Sequence, residues 1–268
     1  MIECRLRLEF LGLPASGKSA LSHALAEVLR RHGLGVAEPT YTTDHLMSPA
    51  RRRWYKGRRV AGEMVRRPRA SARALGLVAR SRQRRSGETI LAGVNWLFAS
   101  SLLTRPPDRA SVQIADEGVF QALWSVCFEA NVAGRTELLD RLVRSGPCPD
   151  AVIVLDVGTA ELQRRLRQRS NGLSRMDGTL RDPADAWRRA RQALGETRKV
   201  LEALSDSTGR PLVLHLRNRR TDDLSHQAEW LAALVLSAEN GKLRLAPAVP
   251  WPWASLPRAE SPRCPVHG

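Results

Sequence analysis

Apolar residues along this chain follow two rhythms in turn: short alternating or continuous runs, and longer stretches with apolar positions three and four apart. Arg5-Leu6-Arg7-Leu8-Glu9-Phe10-Leu11 alternates polar with apolar residues and predicts a first strand. Leu21, Leu25, Val28 and Leu29 then share one helical face, and Gly33 stands where a C-cap glycine belongs. Residues 36–39 predict a short second strand closed by Pro39, because proline ends a ladder. Pro49 and Pro68 divide the next stretch into two or three helices, and a further helix is predicted over 88–103, where Ile90, Leu91, Val94, Leu97, Phe98 and Leu102 recur at helical spacing.

Residues 111–118 form a buried-type strand that finishes in two carboxylates, followed by helices over 119–130 and 137–143. Ala151–Asp156 is a continuous apolar run, the pattern of a parallel strand covered on both faces. Thr159 is placed to cap a helix reaching Arg169, and Asn171-Gly172 and Asp177-Gly178 make 170–182 a loop. A helix over 183–207, a strand over 212–216 and a helix over 221–237 complete the series. Strands that alternate with helices imply an α/β fold with a parallel sheet between helical layers and right-handed crossovers. From Gly241 onward, Pro247, Pro250, Pro252, Pro257, Pro262 and Pro265 interrupt any regular element, so the expected organisation is one domain over 1–240 and an extended or disordered tail over 241–268.

The turn between the first strand and helix carries the chemistry. Gly12-Leu13-Pro14-Ala15-Ser16-Gly17-Lys18-Ser19 fits the phosphate-binding P-loop pattern (Walker A) G-x-x-x-x-G-K-[ST] at every fixed position. Small residues let successive backbone N–H groups turn toward phosphate oxygens, Lys18 adds a point charge, and the Ser19 hydroxyl can ligate Mg²⁺. In such a protein an acid at the end of a neighbouring strand holds the water shell of the metal, and Asp116 occupies that position, followed by Glu117. Glu38 ends the second strand, at the sheet edge where open α/β sheets bind ligands.

Charge adds a second feature. The net charge is +16, and residues 51–85 hold fourteen basic residues against Glu63 alone, a net +13. An anionic small-molecule acceptor, a polyanion or an anionic membrane surface would each answer to such a block. Cys4, Cys127, Cys148 and Cys264 lie far apart with no paired spacing, which argues against a disulfide framework or a zinc site. No apolar run approaches the ~18 residues a spanning helix needs, and the charged amino end has no signal-peptide core, so a cytoplasmic location is expected.

These residues together resemble P-loop kinases of the nucleoside and nucleotide kinase group, most of all thymidylate kinases and deoxynucleoside kinases. The resemblance rests on residues 12–19, on Glu38-Pro39, on Trp96-Leu97-Phe98-Ala99, and on Val154-Leu155-Asp156-Val157 followed by Leu162, Arg165, Leu166 and Arg169. It implies a three-layer P-loop NTPase fold with strand order 2-3-1-4-5, an acceptor region at about 44–103 and an arginine lid at about 165–182. It further implies ATP and Mg²⁺ as cofactors, with Arg165 packed on the adenine and Arg169 and Arg175 brought to the phosphates. Gly12, Pro14, Ala15, Ser16, Gly17, Lys18 and Ser19 would hold the donor, Ser19 and Asp116 the metal, and Glu38 or Glu117 would act as base.

Two departures stand out. Ser100 and Ser101 follow Phe98-Ala99 where the thymidylate kinases have Asp-Arg, and Asp116-Glu117-Gly118 replaces their Asp-Arg-aromatic. Thymidylate is therefore not the expected acceptor. The rival reading is a nucleic-acid-binding P-loop ATPase or polynucleotide kinase that uses 51–85 to track a backbone, and a third is an enzyme of the membrane surface acting on a lipid-linked phosphate. Whether lid arginines act within one chain or across a homodimer is left open by the sequence.

Overall fold

The computed structural model describes residues 6–84, 86–106, 110–130, 135–168, 183–218 and 223–237. Residues 169–182 of the expected lid and the whole 241–268 tail lie outside the described residues. Five strands form one parallel sheet, β1 (Leu6–Gly12), β2 (Val36–Ala37), β3 (Val112–Ala115), β4 (Ala151–Asp156) and β5 (Leu212–Arg217), in the order β2-β3-β1-β4-β5. The expected α/β architecture and strand order are both observed.

The period of two along each strand sorts side chains between two helical layers. Leu6, Leu8 and Phe10 of β1 join Ile153, Leu155, Leu214 and Leu216 against α1 (Lys18–Arg31) and α10 (Leu224–Leu236). Leu11, Val152 and Val154 face the other way, into the layer that includes α5 (Ser86–Thr104), α6 (Val119–Glu129), α7 (Arg135–Arg144) and α9 (Pro183–Thr208). Every residue of α6 from Val119 to Phe128 is buried, as expected of a helix apolar all round.

Several boundaries differ from expectation for local reasons. The second strand ends at Ala37, and Pro39, expected to close it, instead opens a short helix α2 (Pro39–Tyr41) that continues into a π-helical turn over Thr42–Leu46. Proline is well tolerated in a first helical turn, where its missing N–H has no partner to lose. The same holds at Pro49 and Pro68, which begin α3 (Pro49–Arg66) and α4 (Pro68–Arg80), so the arginine-rich block makes two helices. The strand expected over 111–118 stops at Ala115, leaving Asp116 and Glu117 on the turn that enters α6.

The polar–apolar alternation of β1 does not produce a half-exposed strand. Glu9 is 1% exposed, and its Oε1 accepts hydrogen bonds from the Phe120 and Gln121 N–H groups at 2.7 and 2.9 Å, at the start of α6. Burial outweighs these bonds and pushes the Glu9 carboxyl up to about 8. An acid whose folded pKa is raised stabilises the fold in its neutral form. Its contribution is complete below its ordinary value near 4.5 and is lost as pH rises through about 8, because the unfolded chain gives up the proton first. Thermal melts should therefore show Tm falling across this window by an amount on the order of a few kcal/mol in stability, and Glu9→Gln should flatten that slope. An equal slope in the variant would remove Glu9 as its source.

Candidate active site

The turn between β1 and α1 is tightly wound. Ala15 and Gly17 both adopt positive φ, 65° and 93°, and a Cβ on Gly17 would come within 2.5 Å of Asn218 Nδ2, so glycine is required there on two counts. Lys18 is buried and its Nζ donates back to the Gly12 and Leu13 carbonyls at 3.0 and 3.3 Å. Because β3 lies beside β1, its end reaches the first turn of α1: the Ser19 hydroxyl donates to Asp116 Oδ2 at 2.5 Å. The other Asp116 oxygen, Oδ1, is buried with no hydrogen-bond partner among the described residues. A hydroxyl and an anionic carboxylate with a spare buried lone pair are a donor set that suits a small hard cation, and Ser19 and Asp116 would hold it.

These groups floor a cleft of about 630 Å³. One wall is the turn into α6, with Glu117, Gly118, Gln121 and Ser125; another is α5, with Leu91, Val94, Asn95 and Phe98. The third wall carries charge: Asp44 and His45 of the π-helical turn, and Arg52, Arg53 and Lys56 of α3. Asp44 pairs with Lys56 at 3.2 Å and Arg52 at 3.7 Å, and Lys56 lies over the Phe98 ring at 5.1 Å. The basic block thus divides, with three of its cations on the cleft while Arg51, Arg58, Arg66, Arg69, Arg73 and Arg80 face outward.

Solvent reaches Glu117 through the mouth of the cleft, yet its pKa is raised. Desolvation by the surrounding walls is the larger cause, followed by the negative charges of Asp116 and Asp44, with Lys18 and Lys56 opposing. Glu38 stands elsewhere. Expected as a candidate base at the ligand edge of the sheet, it is buried against α1, with its carboxylate taken by Arg30 at 2.7 Å and by His23 Nδ1 at 3.1 Å. It does not line the cleft. The physical reason is the early end of β2. The segment turns helical at Pro39, and the side chain that reaches the metal-side acid is Thr40, whose Oγ1 accepts the Asp116 N–H at 3.1 Å.

On α8 (Thr159–Arg167), Arg165 donates through Nε to Glu161 at 2.6 Å and directs its two terminal nitrogens at the Ser16 carbonyl (3.5 Å) and Asn218 Oδ1 (3.4 Å). Bonds from Arg164 and then Arg165 hold the Glu161 carboxyl down to about 2. Arg165 therefore lies against the outer side of the P-loop. Arg169 and Arg175 lie outside the described residues.

Sequence reasoning missed Thr40, Asp44, Gln121 and Asn218. Gln121 Oε1 accepts the Gly12 N–H at 3.3 Å, and Asn218 Nδ2 donates to the Ser16 carbonyl at 2.8 Å, so α6 and the end of β5 both brace the loop. Asn218 had a usable signal, since it follows the last residue of a parallel strand at the sheet edge already credited to Glu38 and Asp116. Under the phosphotransferase reading proposed below, Asn218→Ala should raise the KM for ATP by ~5–10-fold, the worth of about one hydrogen bond, while moving kcat much less. Initial rates over a nucleotide series would test it; an unchanged KM would mean that the loop keeps its shape without this brace.

No family model matches the chain, and no curated protein matches it in sequence. Among solved structures it is similar to a thymidylate kinase from Candida albicans (TM-score 0.46, 13% identity, 88% of this chain and 93% of that one). It is similar also to a deoxyadenosine kinase from M. mycoides with bound dATP (TM-score 0.42, 15% identity, 87% and 100%) and to a shikimate kinase from Bacteroides thetaiotaomicron (TM-score 0.34, 16% identity, 86% and 98%).

Proposed function

We propose that this protein is an ATP-dependent phosphotransferase that moves the γ-phosphoryl group to a small hydroxyl-bearing, anionic acceptor held between the P-loop and α3. The observation that carries this reading is a cleft whose floor holds Lys18 beside the bonded Ser19–Asp116 pair and whose opposite wall carries Arg52, Arg53 and Lys56. A cationic wall that faces the donor loop across one cleft is what a kinase needs to hold an anionic acceptor in line with the donor.

Within this scheme the loop backbone and Lys18 orient the donor phosphates. When bound at Ser19 and Asp116, Mg²⁺ supplies charge neutralisation at the phosphate oxygens. Arg52 and Lys56, now paired with Asp44, would exchange that carboxylate for the anionic group of the acceptor. Glu117 takes the role of base. It stands in the cleft with its pKa raised above the ordinary carboxylate range, the direction that strengthens a carboxylate as a proton acceptor, whereas Glu38 is committed to Arg30 and His23. Arg165, braced on Asn218, closes the donor side.

The deciding experiment is incubation with γ-labelled ATP and Mg²⁺ against nucleosides, nucleoside monophosphates, sugar phosphates and short oligonucleotides. Label should move to a small phosphorylated acceptor, at a rate that rises with pH through an ionisation above the ordinary carboxylate range. Release of inorganic phosphate alone, unaffected by every acceptor, would count against a transferase. Labelling confined to oligonucleotide ends would favour the polynucleotide kinase reading.

A further inference from the structure

The α3 helix carries apolar side chains on its outer face as well as its inner one. The residue it buries is a carboxylate, Glu63, which accepts from the Thr104 hydroxyl at 2.8 Å and pairs with Arg67 at 3.5 Å. Val60 and Tyr55 pack inward, but three other large side chains stand in water: Trp54 is 64% exposed, Met64 43% and Val65 80%. At about 100° per residue, Trp54, Ala61 and Val65 fall on one stripe, with Arg51 and Arg58 along one edge and Arg53 and Met64 along the other. Arg58 lies over the Trp54 ring at 5.3 Å. The outward arginines of α4, Arg69, Arg73 and Arg80, extend the positive field past the end of α3.

An apolar stripe with an aromatic residue, edged by arginines on a helix that lies flat on the molecule, is the pattern of a segment that rests in the headgroup boundary of a bilayer. We propose that the outer face of α3 is a docking surface for an anionic lipid membrane, with Trp54, Ala61 and Val65 entering the interface and Arg51 and Arg58 pairing with lipid phosphates. Other occupants fit the charge or the stripe less well. A second copy of the chain would bring arginines against arginines. The tail carries Lys242, Arg244, Arg258 and Arg263 against Glu260 alone and would be repelled in the same way. A nucleic-acid strand would use the arginines but leave Met64 and Val65 without a role, and the one aromatic ring of the stripe is already covered by Arg58.

No helix among the described residues is long and apolar enough to cross a membrane, so the attachment is peripheral. Arg53 and Gly57 belong to both the outer face and the cleft wall, so docking sets the cleft mouth at the level of the headgroups, where an acceptor carried on a lipid phosphate would be presented.

Sedimentation of the full chain with vesicles of phosphatidylcholine alone, or mixed with phosphatidylglycerol, tests the proposal. The protein should sediment with the mixed vesicles, not with the neutral ones, and should be released as salt shortens the screening length. Trp54→Ser with Val65→Ser, and separately Arg51→Glu with Arg58→Glu, should each weaken partitioning by at least ~10-fold while leaving the melting curve and nucleotide binding unchanged. The proposal is overturned if the parent stays in the supernatant with anionic vesicles, or if either double variant sediments like the parent. It is equally overturned if a single-stranded oligonucleotide displaces the vesicles and is itself lost in both variants, which would make the face a nucleic-acid surface. Because the readout is sedimentation, it can fail while phosphoryl transfer stands, and the reverse.

Discussion

Lys18→Ala is expected to lower phosphoryl transfer by ~10²–10³-fold or more, because it removes the charge that accompanies the transferring group. Lys18 is buried at the cleft floor, and its Nζ donates to the Gly12 and Leu13 carbonyls. Losing those two bonds should cost stability on the order of 1 kcal/mol, small beside the kinetic effect. The measurement is kcat/KM with whichever acceptor the labelled-ATP panel identifies, with a melting curve to show that the variant is folded. A folded variant that keeps activity within about twofold of the parent would sink the proposed reaction, since no other buried cation lies at the floor of the cleft among the described residues.

How much of this site could be read in advance depends on the range of the interaction. The P-loop is local: eight consecutive residues specify its turn, and β1 and α1 on either side follow from spacing alone. Asp116 was legible because the end of a parallel strand beside the P-loop strand has few places to go. Glu38 followed the same logic and went elsewhere, because two residues of β2 are too few to carry its carboxylate to the cleft and Arg30 and His23 of α1 were already in reach.

Contacts across long sequence distances were not legible. Asn218 braces Ser16 from 202 residues away, and Gln121 reaches Gly12 from 109. Nothing in the local pattern of either residue encodes such a partner; only the assembled sheet, with β1 between β3 and β4, brings them to the loop. The basic block is an intermediate case. Its charge raised the expectation of an anionic partner, but the helical phase that sends Arg52, Arg53 and Lys56 to the cleft and Trp54 and Val65 outward became readable only once the buried face of α3 was known.

The largest effect on stability should come from the smallest addition, Gly118→Ala. Gly118 has φ −111° and ψ −152°, an extended conformation that alanine also adopts, so backbone strain is not the issue. A Cβ at this position would lie 2.3 Å from Cδ of Glu9, 2.5 Å from its Oε2 and 2.7 Å from its Cγ. The Glu9 carboxylate cannot swing aside, because Oε1 holds the N–H groups of Phe120 and Gln121 and the residue is walled in by α6. Either α6 moves or a buried carboxyl loses its partners, and the expected cost is about 3 kcal/mol or more. The double variant with Glu9→Ala isolates the cause: removing the carboxyl clears the space, so the two losses should be far from additive, with a coupling of about 1–3 kcal/mol from thermal or urea unfolding. Additive losses would show that Gly118 is needed for some reason other than Glu9. Since Gly118 follows Glu117 directly, the single variant should also lose activity at temperatures well below its melting point, as the displaced turn carries the proposed base out of line with the floor of the cleft.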